Sequence, residues 1–235
     1  MSSTPSKQEP CPPRRVRFAR GVALGLPIFL GYLPVGAAFG VVARGLGFSV
    51  VQAAACSATA LAGAGQLIAL TLIESGAAVL AVVVTTAVVN LRYVLFGAAM
   101  SAHVTGVPLP GQAFLAFTLT DETFAVNIDD HRRGLADAWS MAGVGVIAWT
   151  GWVLGTTAGA LAAGWIGDPT RYGVQFAMPA MFTALLVAQA EDRRHVATAV
   201  LAATLAVACM LLLPDPWYLI AAPMLAATIA TVMHR

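Results

Sequence analysis

An all-α bundle of membrane-crossing helices is the fold class this sequence predicts, and three observations predict it. Long uncharged runs fill the chain, at 21–43, 50–73, 138–167, 172–190, 196–214 and 217–233. The composition is 59% hydrophobic and 10% charged, against about 25% charged residues in soluble domains, and mean hydropathy is +0.80. Crossing the hydrocarbon as helix takes about 20 apolar residues, which most of these runs meet or approach. The third observation is the exception to the pattern: Arg92, Asp121 and Glu122 sit inside otherwise apolar stretches. A charge held at membrane depth is costly and marks a functional path, so transport is the first function to consider. With 235 residues the bundle uses nearly everything, leaving no second globular domain.

Taken in order, residues 1–20 form a basic tail in which Lys7, Arg14, Arg15, Arg17 and Arg20 are opposed only by Glu9. Such a cluster reads as cytoplasmic. The run behind it is too long for a signal peptide, and passes Pro27, Pro34 and Gly36 with no clear small-residue cleavage site. Helices are expected at 21–43, 51–73, 77–99, 112–128, 138–164, 172–190, 195–213 and 217–233, together a transmembrane permease domain over 21–235. The third and fourth carry the charges and are the least regular. If all eight cross, Arg132–Arg133, Arg193–Arg194 and Arg235 join the tail inside, with only Arg44 and Arg171 outside. Removing the fourth crossing sends Arg132–Arg133 outside, so eight spans is the better count and seven the alternative. Both termini are then cytoplasmic.

Gly36-x3-Gly40-x4-Gly45 matches Gly155-x3-Gly159-x4-Gly164 at an offset of 119 residues. A polar break follows each, Gly47-Phe48-Ser49 and Gly167-Asp168-Pro169, and then a helix with breakers: Gly63 and Gly65 in one, Pro179 in the other. Interrupted segments at matching places point to a binding site between repeats, with halves 21–128 and 138–233. Small-residue motifs also recur in any packed membrane bundle. Whether 112–128 spans decides whether the repeat is parallel or inverted.

Candidate site residues follow. Gly63 and Gly65 alternate with alanine mid-span, which lets a substrate or a neighbouring helix approach the backbone. Gln66 adds an amide that needs a partner at that depth. Asn90 and Arg92 interrupt the third run. Arginine's guanidinium does not deprotonate, so Arg92 anchors an anion, locks a carboxylate between helices, or snorkels. Asp121 and Glu122, adjacent on a helix, point about 100° apart. One can pair with Arg92 while the other faces a cavity, an arrangement that suits a proton-coupled carrier. They also fit a polar kink in a helix that never spans.

Other chemistry is not expected. Cys11, Cys56 and Cys209 show no zinc or redox spacing, and His103, His131, His195 and His234 fall in loops or at the end without ligand spacing. No metal, cofactor or nucleic-acid partner is indicated. Enzyme constellations such as His-Glu-x-x-His, Gly-x-Ser-x-Gly and a phosphate loop are missing.

Four segments occur in order: Gly31-Tyr32-Leu33-Pro34-Val35-Gly36-Ala37-Ala38-Phe39-Gly40, Ala62-Gly63-Ala64-Gly65-Gln66, Asn90-Leu91-Arg92-Tyr93 and Thr120-Asp121-Glu122-Thr123-Phe124. Together they resemble the signatures of the AzlC family, the large permease subunit of branched-chain amino acid exporters, from about Arg17 onward. Tyr93 stands where many members carry His, which excludes a proton-carrying histidine there. The resemblance implies a bacterial inner-membrane permease exporting leucine, isoleucine, valine or similar amino acids, with a small membrane partner of the AzlD type. On that reading Arg92 meets the substrate carboxylate, Asp121 or Glu122 its ammonium, Gly63–Gly65 make room for the tail, and the proton gradient drives export. The alternatives are an efflux permease for another small molecule, or a membrane scaffold or enzyme subunit.

Overall fold

The computed structural model describes residues 12–166 and 192–212, with 176, 180, 183, 186, 187, 225, 226, 228 and 229 described besides. Lys7, Glu9 and Cys11 of the tail, the 167–169 break, Arg171, Pro179, His234 and Arg235 lie outside the described residues, as do most of the expected helices 172–190 and 217–233. Regular structure among the described residues is helical, as a polytopic membrane bundle requires. The chain divides into two units, residues 1–177 and 178–235.

The first unit contains α1 (Arg14–Gly45), α2 (Val50–Thr59), α3 (Gly63–Glu74), α4 (Val79–Asn90), α5 (Arg92–Ser101), α6 (Leu109–Phe117), α7 (Asp121–Arg132) and α8 (Ala138–Ile166). Helix α1 continues through Pro27 and Pro34, which membrane helices tolerate where neighbours re-satisfy the freed backbone groups. Helices α4 and α5 are joined through one helical-conformation residue, Leu91, and together form a 23-residue apolar span, Val79–Ser101. Arg14–Gly45 and Ala138–Trp165 are likewise long and apolar enough to cross.

The stretches 51–73 and 112–128, expected as single helices, are each broken in two. Non-helical residues interrupt the first: Ala60, extended (φ −134°, ψ 94°), ends α2 and Ala62 (φ −140°, ψ 65°) precedes α3. The second is interrupted at Thr118–Thr120, and Thr120 caps α7 in a reciprocal capping box with Thr123. Neither α2 nor α3 is long enough to cross alone.

Helices α1 and α8 lie backbone to backbone. A Cβ added to Gly40 would overlap the Thr156 carbonyl, and one on Gly159 the Ala37 carbonyl. Further contacts pair Phe18 with Gly143, Gly21 with Ser140, Gly25 with Val144 and Leu33 with Gly155. Both numbers rise together, so the helices run parallel. Lipid offers no hydrophobic drive between helices, and close packing of small residues supplies the attraction instead.

Side-chain pairs give the other directions. Tyr32 meets Thr120 and Arg20 meets Asp130, at 2.8 Å each, so α7 runs against α1. Arg92 meets Asp121, Phe96 stacks on Phe124 and His103 stacks on His131, so α5 runs with α7. The span Val79–Ser101 is therefore antiparallel to α1, and segment 50–74 begins and ends at one end of the unit. Helices α2 and α3 form a hairpin entering from the far end of α1. Helices α6 and α7 form a second, entering from the end where α1 starts, and Thr118 at its turn packs on Gly145. Three continuous crossings and two opposed hairpins stand where five crossings were expected. The two reversals cancel, so α8 keeps its expected direction.

In the second unit α9 (Arg193–Leu212) is apolar enough to cross over His195–Leu212. Asp192 opens it by accepting the His195 backbone N–H at 2.9 Å, the usual relief for an orphan donor at a helix start.

Two outcomes test this architecture. Gly40→Leu and Gly159→Leu should lose at least the ~1–3 kcal/mol typical of overpacking, because the obstructing atoms are backbone. Gly31→Leu, with nothing within 4 Å of the added Cβ, should match the parent in thermal stability measured by size-exclusion chromatography. In a variant lacking Cys11, Cys56 and Cys209, an impermeant thiol reagent should label cysteines at Gly45 and Ser75 from one membrane face. Cysteines at Thr105 and Leu135 should label from the other. Ser75 and Thr105 with sides exchanged would mean two spanning helices instead of hairpins.

Candidate functional site

The first hairpin turns against α8. The indole of Trp152 fills the space beside Gly63, where an added Cβ would lie 2.9 Å from its ring. Trp152 Nε1–H donates to Gln66 Oε1 at 2.8 Å, and Gln66 Nε2–H donates to Cys56 Sγ at 3.3 Å. Gln66 is thus satisfied by one side chain from α8 and one from α2 across the break. Trp149 Nε1–H donates to the Ala58 carbonyl at 3.0 Å, supplying one of the partners that the last carbonyls of α2 lack. Ser57 and Thr156 hydroxyls, both fully buried, meet at 2.8 Å. Gly65 admits the amide of Asn90, to which an added Cβ would come within 2.8 Å.

The second hairpin turns against α1. Tyr32, 7% exposed, places its hydroxyl 2.8 Å from Thr120 Oγ1 and 2.5 Å from Glu122 Oε2. Thr123 Oγ1–H donates to the Thr118 carbonyl at 2.9 Å and accepts the Thr120 backbone N–H at 2.7 Å. The turn is held by threonines whose hydroxyls both donate and accept. Tyr32 and Trp152 meet edge to face with centroids 5.5 Å apart, so one aromatic pair joins the two turns.

Arg92 opens α5 between them. Its Nη2 lies 3.0 Å from Asp121 Oδ2, and its guanidinium sits 5.2 Å from the Tyr93 ring centroid. Of the readings open for Arg92, pairing with a carboxylate is the one observed, and Asp121 is the carboxylate. Arg92 Nε and Asn90 Oδ1 are buried and have no hydrogen-bond partner among the described residues. Buried polar groups are otherwise nearly always paired, which leaves one donor and one acceptor open to a ligand.

The seven residues singled out in the sequence fall into three contacting groups that neighbour one another along the chain: Gly63, Gln66 and Glu122 through the aromatic pair, Gly65 with Asn90, and Arg92 with Asp121. Sequence reasoning did not single out Tyr32 or Trp152 as site residues, and gave the Thr118–Thr123 turn only as the alternative of a polar kink. Two signals were available. Thr120-x-x-Thr123 has the spacing of a helix start, and an indole in an apolar run needs an acceptor for its N–H. At the base of the second hairpin, His131 stacks on His103 with centroids 4.2 Å apart. Burial, and then His103 itself, push His131 below the ordinary imidazole range, which favours the neutral ring.

Comparison with known proteins agrees on one family. The family model described as AzlC protein matches residues 27–166. "Inner membrane protein YgaZ" of Escherichia coli is 30% identical over 83% of this chain and 82% of its own length. An "Uncharacterized membrane protein" of Archaeoglobus fulgidus is 33% identical over 83% of this chain and 85% of its own. "Branched-chain amino acid transport protein AzlC" of Bacillus subtilis is 26% identical over 89% and 82%. No solved structure matches the chain.

The Arg92–Asp121 pair makes a directional prediction. Arg92→Gln alone orphans Asp121 at 20% side-chain exposure. Breaking a buried pair costs about 3–5 kcal/mol, and partial exposure puts this one at or below the lower figure. Adding Asp121→Asn should recover most of the loss in a thermal-stability assay, and adding Glu122→Gln should recover none. Rescue by Glu122→Gln instead would overturn the pairing.

Proposed function

This chain belongs to the AzlC family, and we propose that it is the permease subunit exporting branched-chain or similar apolar amino acids, driven by the proton gradient. The observation that carries the reading is the meeting of two opposed hairpins at one cluster of charged and aromatic groups between crossing helices. Interrupted helices deep in a membrane are tolerated where they line a cavity or are buried in protein, and transporters build substrate sites from them. The relatives named for the inner membrane and for branched-chain amino acid transport support the same reading.

An apolar amino acid brings an ammonium, a carboxylate and an aliphatic tail. The open donor, Arg92 Nε, suits the carboxylate, and the open acceptor, Asn90 Oδ1, suits the ammonium. Because Asp121 already holds Arg92 through Nη2, the guanidinium stays oriented whether or not substrate is bound. The space beside Gly63 and Gly65, expected from the sequence to receive the tail, is instead taken by the Trp152 indole and the Asn90 amide.

The end of the first unit where α1 starts carries Arg14, Arg15, Arg17, Arg20, Arg132 and Arg133, while Arg44 lies at the other end. That asymmetry supports a cytoplasmic N-terminus, and both termini inside is the topology we propose. The span Val79–Ser101 exposes Val79, Leu80, Val83, Val84, Val94 and Leu95, apolar surface for lipid or for a small AzlD-type subunit.

The test is flux. The chain, purified with a co-expressed small AzlD-type membrane subunit, should release radiolabelled leucine, isoleucine or valine from proteoliposomes at a saturable rate that an imposed pH gradient accelerates. Lysine and glutamate should not be released. Flux no faster than from protein-free liposomes, with the complex intact, would reject the assignment.

A further inference from the structure

We propose that Glu122 is the group that takes up and releases the coupled proton, with Tyr32 as its positioning residue. This rests on the transport reading above and deepens it.

The two carboxylates in the first turn of α7 are differently engaged. Asp121 is held by Arg92, whose guanidinium keeps its charge at any working pH, so that carboxylate has a cation already in place. Glu122 meets no cation among the described residues. Its contact is the Tyr32 hydroxyl at 2.5 Å. The charged and titratable groups around it are Tyr32 from α1, Arg92 and Tyr93 from α5, and Asp121 beside it. Arg92 and Asp121 cancel one another, and neither tyrosine is charged. A carboxylate in that setting is neutralised by a mobile cation, and the smallest is a proton.

The hydroxyl chain next to Glu122 serves both states. With Glu122 ionised, Tyr32 O–H donates to the carboxylate and Thr120 O–H donates to the Tyr32 oxygen. With a proton from bulk water on Glu122, the carboxyl O–H donates to the Tyr32 oxygen. Tyr32 O–H then turns to Thr120 Oγ1, 2.8 Å away, and Thr120 O–H turns to Thr123 Oγ1, 3.3 Å away. Thr123 keeps donating to the Thr118 carbonyl throughout. One proton has been added, it resides on Glu122, and every hydroxyl hydrogen has an acceptor in both states. Leaving such a donor unpaired would cost the full desolvation penalty, so the chain removes that cost from the protonation cycle.

Tyr32 also transmits the event. Its ring abuts Trp152, whose indole N–H is bonded to Gln66 in the first hairpin. A reoriented Tyr32 hydroxyl is therefore one aromatic contact and one hydrogen bond from the opposite turn.

The direct test is pH-difference infrared spectroscopy of the intact complex in membranes, which needs no substrate. A carboxylic-acid C=O band should appear on acidification, vanish in Glu122→Gln, persist in Asp121→Asn, and shift in frequency in Tyr32→Phe. Persistence of the band in Glu122→Gln, or its loss only in Asp121→Asn, overturns the assignment whatever the protein transports. In proteoliposomes Glu122→Gln should lose flux driven by the pH gradient while retaining leucine counterflow without one. Tyr32→Phe should move the pH profile of driven flux to higher pH, because the ionised carboxylate has lost its donor. Loss of counterflow along with driven flux in Glu122→Gln, or an unmoved profile in Tyr32→Phe, overturns the proposal. Absent flux in the parent, with the infrared pattern as expected, rejects the transport reading and leaves Glu122 as a proton site.

Discussion

Everything at the centre of this protein depends on two backbones being allowed to touch. Where α1 meets α8, glycines on each helix stand opposite carbonyl groups of the other. In lipid no hydrophobic force holds helices together, so the attraction must come from dispersion over a long, close seam. A seam lined by leucine would hold the axes farther apart. Tyr32 and Trp152 would then lose their edge contact, and with it the link between the two hairpin turns.

Around that seam the two turns are chemically unlike. The first starts α3 with no side-chain cap and no acidic residue in its opening turn, so the positive end of the helix dipole is left uncompensated. The second is closed by its own threonines and carries Asp121 and Glu122. The two turns thus present opposite electrostatic character to the cluster between them, a polarity that neither turn has alone.

Much of this was legible in the sequence, for physical reasons that also mark where legibility ends. Charges stand out because a membrane makes them expensive, so Arg92, Asp121 and Glu122 were visible at once. The recurrence of Gly36 and Gly40 in Gly155 and Gly159 was visible too, since small residues are the contact residues of membrane helices. The breaks were legible only in part: Gly63 and Gly65 marked one and a polar kink at Asp121 and Glu122 was open for the other, but nothing said that the chain turns back at either. Ala60-Leu61-Ala62 is as apolar as the helices on either side and contains no proline, glycine or charge. Helices that are apolar all round also lack the periodicity that would show a change of direction. Charge counting could not expose the difference, because two missed reversals leave Arg132 and Arg133 at the end of the unit where α1 starts, as expected. Which of two adjacent carboxylates meets Arg92 was equally hidden: the spacing says that they diverge, and the start of α7 at Thr120 decides which way each one points.

The seam between α1 and α8 has a further consequence, for the order of assembly on the ribosome. The glycine face of α1 enters the bilayer with no partner, and its complement at residues 140–160 is made more than a hundred residues later. The first hairpin waits as well, because Trp152, against which it turns, belongs to the same late helix. Contacts this distant in sequence form slowly, and until they form Gln66 sits at depth without the Trp152 indole as its partner. Synthesis of α8 is thus the committing event, and a ribosome that stalls before residue 140 leaves behind a membrane-bound but unassembled chain.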